Sequence, residues 1–141
     1  MPNNKVLAEQ RALHLKKKLI KNPSFCEDYI TFMSDMIWKG YATKVPDEDL
    51  SGSDGKVWYI PHHGVYHPKK HNIFVVFDCS ASYLGTALNE QLLQGPDLNS
   101  TLIGVINRFR QEPVATIADV EAMFHQVKVP REDADLLRFL W

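Results

Sequence analysis

The stretch VATIADVEAMFHQV, residues 114–127, carries the reading on which the rest of the chain turns. Val114 to Ala118 form a continuous apolar run that ends at Asp119. A run of that length and composition predicts a strand buried on both faces, with a carboxylate delivered at its end. Placing a carboxylate there is costly unless a cation or hydrogen-bond donors offset its desolvation. Spacing alone leaves two readings open, a capped or ion-paired aspartate and a metal ligand.

Upstream of that stretch, Leu102, Val105, Ile106 and Phe109 give a helical stripe between Pro96 and Arg110, opened by Pro96 and closed by Pro113. Downstream, VKVPREDAD places Pro130 at a first helical position with Glu132 and Asp133 in the first turn, and LLRFLW (136–141) reads as a further strand. Further back, VWYI (57–60) and IFVVF (73–77) are rich in branched and aromatic residues and suit paired strands, with Pro61, Gly64 and Pro68 in the stretch between them. PDEDLSGSDGK (46–56) is acidic, rich in turn formers and nearly empty of apolar residues, so it reads as an exposed loop.

The first third is helical. Ala8, Ala12, Leu15 and Leu19 lie at helical spacing, with Lys16, Lys17, Lys18 and Lys21 crowded toward the other side. A solvated face is the preferred reading of that run, with contact to phosphates as the alternative. Asn22 and Pro23 interrupt the helix. Ser24 and Glu27 have capping-box spacing before a second stripe of Tyr29, Met33, Met36 and Ile37, which predicts a helix running to about Gly40.

At 141 residues and 45% hydrophobic, the chain suits one globular domain. A formal net charge of -1 and a pI near 6.6 give no overall basic character, so nucleic-acid binding must come from local patches. Cys26 and Cys79 stand far apart with no CxxC pair, which fits reduced thiols and a cytoplasmic protein. No uninterrupted apolar leader and no run near the ~18 residues of a membrane span occurs, so neither secretion nor membrane insertion is expected.

Several catalytic templates find no support. There is no GxSxG around Ser80 or Ser82, no GxxxxGK[ST] and no GxGxxG. Cys26, on an amphipathic helix with no activating neighbour in sequence, reads as an inert thiol. His62, His63, His67 and His71, with Cys79 beyond, gather zinc-preferring side chains, which raises the alternative of a small zinc-stabilised interaction module. Their spacing is irregular and the prolines oppose a helix, so exposed loop histidines are the preferred reading.

Five blocks together carry a resemblance: YIPHHGVYHPKK (59–70), VVFDCSA (75–81), LNEQLLQGPDL (88–98), RFRQEPVATIADVEAMFHQVKVP (108–130) and DADLLRFLW (133–141). In these the chain resembles the reverse transcriptases of BEL/Pao LTR retrotransposons, over most of residues 57–141. ADVEAMFHQV is similar to the first palm motif, and GYA (40–42) looks like the end of the lead-in segment.

The resemblance implies nucleotidyl transfer at a two-magnesium site, with the ions roughly 3.5–4 Å apart. It makes Asp119 a catalytic metal ligand and the backbone carbonyl of Val120 another. It sets the amides of Ala122 and Met123 against an incoming triphosphate and gives Phe124 the position of an aromatic gate that excludes a ribose 2′-hydroxyl. Lys70 falls among the nucleotide-binding residues, and Lys69, Arg108 and Arg110 among weaker nucleic-acid contacts. Implied partners are an RNA template, a DNA primer, deoxynucleotides and the remainder of the palm.

Two departures stand against activity. No aromatic-x-Asp-Asp sequence occurs in residues 1–141, and Glu121, two positions from Asp119, does not replace it. Where the family carries a triphosphate-clamping arginine, four positions before Asp78, this chain has Phe74, which offers neither charge nor donors.

The expected fold is therefore α+β, a partial right-hand polymerase. A helical lead-in at 1–45 and an acidic loop at 46–56 precede reverse-transcriptase fingers and partial palm at 57–141. The expected function is that of an RNA-directed DNA polymerase segment, inactive alone, with apolar surface left uncovered where missing strands would pack. The alternative within the same resemblance is a non-catalytic nucleic-acid-binding or structural remnant.

Overall fold

The computed structural model describes residues 1–50, 55–68, 72–97 and 100–141, and it is a small α+β fold. Helices α1 (Lys5–Lys21) and α2 (Pro23–Trp38) are followed by a two-stranded antiparallel sheet of β1 (His62–Tyr66) and β2 (Ile73–Phe77), then α3 (Leu88–Gln91) and α4 (Leu102–Phe109). The chain divides into two units. One contains residues 1–91 and 128–141, the other 92–127.

In the larger unit the Asn22–Pro23 break works as predicted, with one correction. The cap is not the Ser24 and Glu27 pair: the Asn22 side chain accepts the Phe25 amide, with Pro23 in the first turn, where its missing N–H costs nothing. Phe25, Tyr29, Met33 and Met36 then line one face of α2 and bury against Val75 of β2.

The strand pairing differs from the sequence expectation. IFVVF is β2, but its partner is HHGVY, in register His62↔Phe77, Gly64↔Val75 and Tyr66↔Ile73. VWYI instead runs as an extended segment with all four residues buried. Val57 and Tyr59 pack with Ala8 of α1, and Trp58 and Ile60 pack with Leu88 of α3. Its hydrogen bonds alternate in the same way. The amides of Trp58 and Ile60 donate to the carbonyls of Asp135 (3.0 Å) and Arg138 (2.7 Å), a parallel pairing with the C-terminal segment. On the other edge, Asn4 Nδ2 donates to the Tyr59 carbonyl and the Tyr59 amide donates to Asn4 Oδ1, both at 2.7 Å. The fully buried Asn4 side chain thus stands in for a neighbouring strand. Asn4→Ala leaves both Tyr59 groups unpaired and should lower unfolding free energy by about 2 kcal/mol, read from the urea midpoint.

The expected strand at LLRFLW is also corrected. Residues Ala134–Leu137 form a 3₁₀ turn, and only Arg138 bridges to Tyr59. The buried Arg138 guanidinium donates to the Asp135 carboxylate (2.9 Å from Nε) and to the backbone carbonyls of Asp49 (2.7 Å) and Leu50 (3.3 Å), which ties down one end of the acidic loop. Of that loop, residues 46–50 are largely exposed as read and 51–54 lie outside the described residues.

In the smaller unit, α4 is shorter than expected. Thr101 rather than Pro96 opens it, with its hydroxyl oxygen accepting the Gly104 amide at 3.2 Å. The predicted apolar stripe is present, but none of its residues is buried. The predicted buried strand at Val114 to Ala118 is not formed: the run has no regular secondary structure and is exposed, with Val114 at 80% and Ile117 at 84% accessibility. No strand lies beside it among the described residues, and an unpaired buried strand would strand its own N–H and C=O groups, so water satisfies them instead.

Candidate functional site

Residues 119–127 follow this irregular run and include a tight turn. Asp119 is exposed, and its Oδ1 accepts the amide of Val120 at 2.9 Å, a local bond that orients the carboxyl group. The expectation of a desolvated carboxylate at a strand end is thereby corrected. Ala122 adopts a left-handed conformation (φ +50°, ψ 43°), unusual for a residue with a Cβ. Its carbonyl accepts the His125 amide at 2.8 Å, opening the 3₁₀ turn Met123–Gln126. Gln126 Nε2 donates to the Glu121 carbonyl at 3.1 Å and closes the turn from the far side.

The five sequence-predicted residues Asp119, Val120, Ala122, Met123 and Phe124 therefore share one exposed turn, with the Phe124 ring 84% accessible. Arg108 lies in the last turn of α4 and Arg110 caps it, both exposed, with no ion pair to a carboxylate among the described residues. Lys69 and Lys70 lie outside the described residues, as does His71.

Two magnesium ions need several oxygen ligands apiece. Among the described residues no three His, Cys, Asp or Glu side chains come together to hold a metal, so the side chains present do not fit a two-ion site. The zinc reading meets the same obstacle. Strand alternation buries His62 and exposes its neighbour His63. His62 is occupied on both nitrogens: Nε2 donates to the Leu140 carbonyl at 2.8 Å, and Nδ1 accepts the Tyr29 hydroxyl at 2.5 Å. Burial also pushes the Cys79 thiol up, helped by the charge of Asp78, away from the thiolate zinc prefers.

Sequence reading missed the Tyr29–His62 pair. The signal was faint: a histidine opening a run whose alternate members are His62 and Gly64, neither a strong strand former. Burial lowers the His62 pKa and raises that of Tyr29, so the ring is neutral and the phenol keeps its proton. Phe74 is half-exposed on β2 with its ring centroid 6.0 Å from that of His67, and it supplies no donor where the resemblance expects an arginine.

No protein-family model matches this chain, and no match is found among curated proteins or solved structures. No helix among the described residues is long and apolar enough to cross a membrane.

Proposed function

We propose that the chain is the fingers and first palm segment of a BEL/Pao-type retrotransposon reverse transcriptase, unable to polymerise in this form. The observation that carries the reading is the ADVEAMFHQV turn. Its carboxylate, carbonyl, amides and aromatic ring all belong to exposed residues within six consecutive positions, as contact with a nucleotide requires. The uncovered apolar stripe of α4 and the exposed run at 114–118 support it as surface that further palm strands would cover. RNA template, DNA primer and deoxynucleotides are the corresponding partners, and a cytoplasmic site of action goes with them.

Asp119 supplies one carboxylate to the parent's magnesium centre in this reading, and the remaining ligands come from outside residues 1–141. Phe74 favours a second reading, a non-catalytic nucleic-acid-binding remnant, because an apolar ring cannot clamp a triphosphate. Primer extension on an RNA template with magnesium and deoxynucleotides separates the two. This chain alone should extend no primer. A longer chain carrying an aromatic-x-Asp-Asp motif should extend it, and Asp119→Asn should reduce that activity by at least 100-fold. If the longer chain is also inactive while folded, the remnant reading replaces the polymerase reading.

A further inference from the structure

The positive charge of this chain is concentrated on one element. Helix α1 carries six cationic side chains against a single carboxylate, Glu9, in a protein whose formal net charge is -1. Three of its polar residues, Arg11, His14 and Lys18, follow i, i+3, i+7 spacing and therefore share a face. That face lines a cleft of about 220 Å³ whose other side is formed by the start of β1 and by Asp78 after β2. Pro61 and His62, both buried, also line it, as does the exposed imidazole of His63.

Arg11 and His14 have no carboxylate partner among the described residues, unlike Lys5, Lys39, Lys44 and Arg138, each of which is ion-paired. Lys18 is held with its Nζ 4.1 Å from the Phe25 ring centroid, a contact that places the ammonium without neutralising it. Among the described residues Asp78 is the one carboxylate lining the cleft, and its Oδ1 already accepts the Ser80 amide (3.1 Å) and hydroxyl (2.6 Å). Two permanent cations, two imidazoles with N–H donors and one partly satisfied carboxylate leave a cleft in want of an anion with several acceptor oxygens.

We propose that this cleft binds a phosphate group, either of a nucleotide or of a nucleic-acid strand. Arg11 and Lys18 supply the charge, and His14 and His63 supply additional hydrogen bonds. All of its residues belong to the larger unit, whereas Asp119 belongs to the smaller, and the proposal does not depend on the polymerase reading. The guanidinium fork suits two phosphate oxygens at once, and the volume exceeds that of a bare phosphate, leaving space for an attached sugar.

The test uses the full chain with three probes: inorganic phosphate, uridine monophosphate and a fluorescent oligo-uridine. The ring signals of His14 and His63 should shift saturably with at least one of them. Saturation by the monophosphate marks a phosphate-terminal site, whereas saturation by the oligonucleotide alone marks a strand backbone. For the saturating ligand, Arg11→Glu with Lys18→Glu should weaken binding at least tenfold. Lys5→Glu with Lys16→Glu, the same charge change about 120–140° around α1 from Arg11, should weaken it less than threefold. Asp78→Asn, which keeps an acceptor for Ser80, should strengthen binding about twofold or more. Equal losses in the two double variants would show diffuse attraction to the helix and overturn the site, as would the absence of any saturable shift at His14 and His63.

Discussion

Gly64→Val is expected to unfold the larger unit, and Gly64→Ala to cost about 3 kcal/mol, among the larger single-residue effects in this protein. Gly64 lies on β1 opposite Val75, on the sheet face that α2 covers. A Cβ placed there would come within 2.8 Å of both Ile73 Cδ1 and Phe25 Cζ, and within 3.0 Å of Tyr29 Cδ2. Ile73 Cδ1 ends a partly exposed side chain and can swing aside, but the rings of Phe25 and Tyr29 have little room to retreat, being among the most buried side chains of the chain. The glycine is required by the closeness of helix to strand rather than by backbone conformation. Gly40 provides the contrast. Its φ is +74° and nothing lies within 4 Å of its Cβ position, so Gly40→Ala should cost only about 1 kcal/mol, for conformational reasons. Urea titrations followed by circular dichroism compare the variants. A Gly64→Ala midpoint equal to wild type would mean that α2 does not sit on the sheet as described.

The second large effect concerns His62. Replacing it by Leu should cost about 2–4 kcal/mol, because the Tyr29 hydroxyl and the Leu140 carbonyl each lose a buried partner. The same arrangement makes stability depend on pH. Burial lowers the His62 pKa below its ordinary 6.5, with the charge of His63 acting in the same direction and the hydrogen bond to Leu140 opposing it. The unfolded chain therefore takes up the proton first as pH falls. The contribution is fully present above about 6.5, declines below it, and levels off once pH has fallen past the folded-state pKa. A protonated ring would also take away the acceptor of the Tyr29 hydroxyl, which burial keeps protonated. In urea titrations between about pH 7.5 and 5.5, the wild type should lose more stability than His62→Gln, the difference isolating this residue from the other five histidines. Parallel pH profiles for the two would refute the assignment.

The amino-acid sequence by itself determined the helical lead-in, the break at Asn22–Pro23, most of the apolar face of α2 (Ile37, expected in it, is exposed, and Phe25 is buried there instead), β2, the α4 stripe and the exposure of residues 46–50. Each rests on periodicity or on a local cap, which a short window contains entirely. It also singled out the residues from Asp119 to Phe124, which share one turn because they are adjacent in the chain. Tertiary structure decided which extended segments find partners. VWYI and VATIA are both short apolar runs that the sequence alone reads as strands. The first is buried because Asn4 satisfies one edge of its backbone and residues 135–138 the other, while the second has no such edge and lies open to water. Partners 55 residues upstream and about 80 downstream leave no trace in a local pattern. The same holds for HHGVY, made a strand by β2 and by the space above Gly64, and for the cleft where Arg11, His14 and Lys18 of one helix meet His63 and Asp78. A pattern specifies what a segment is able to bury, but the hydrogen-bonding groups brought alongside it determine whether burial is possible.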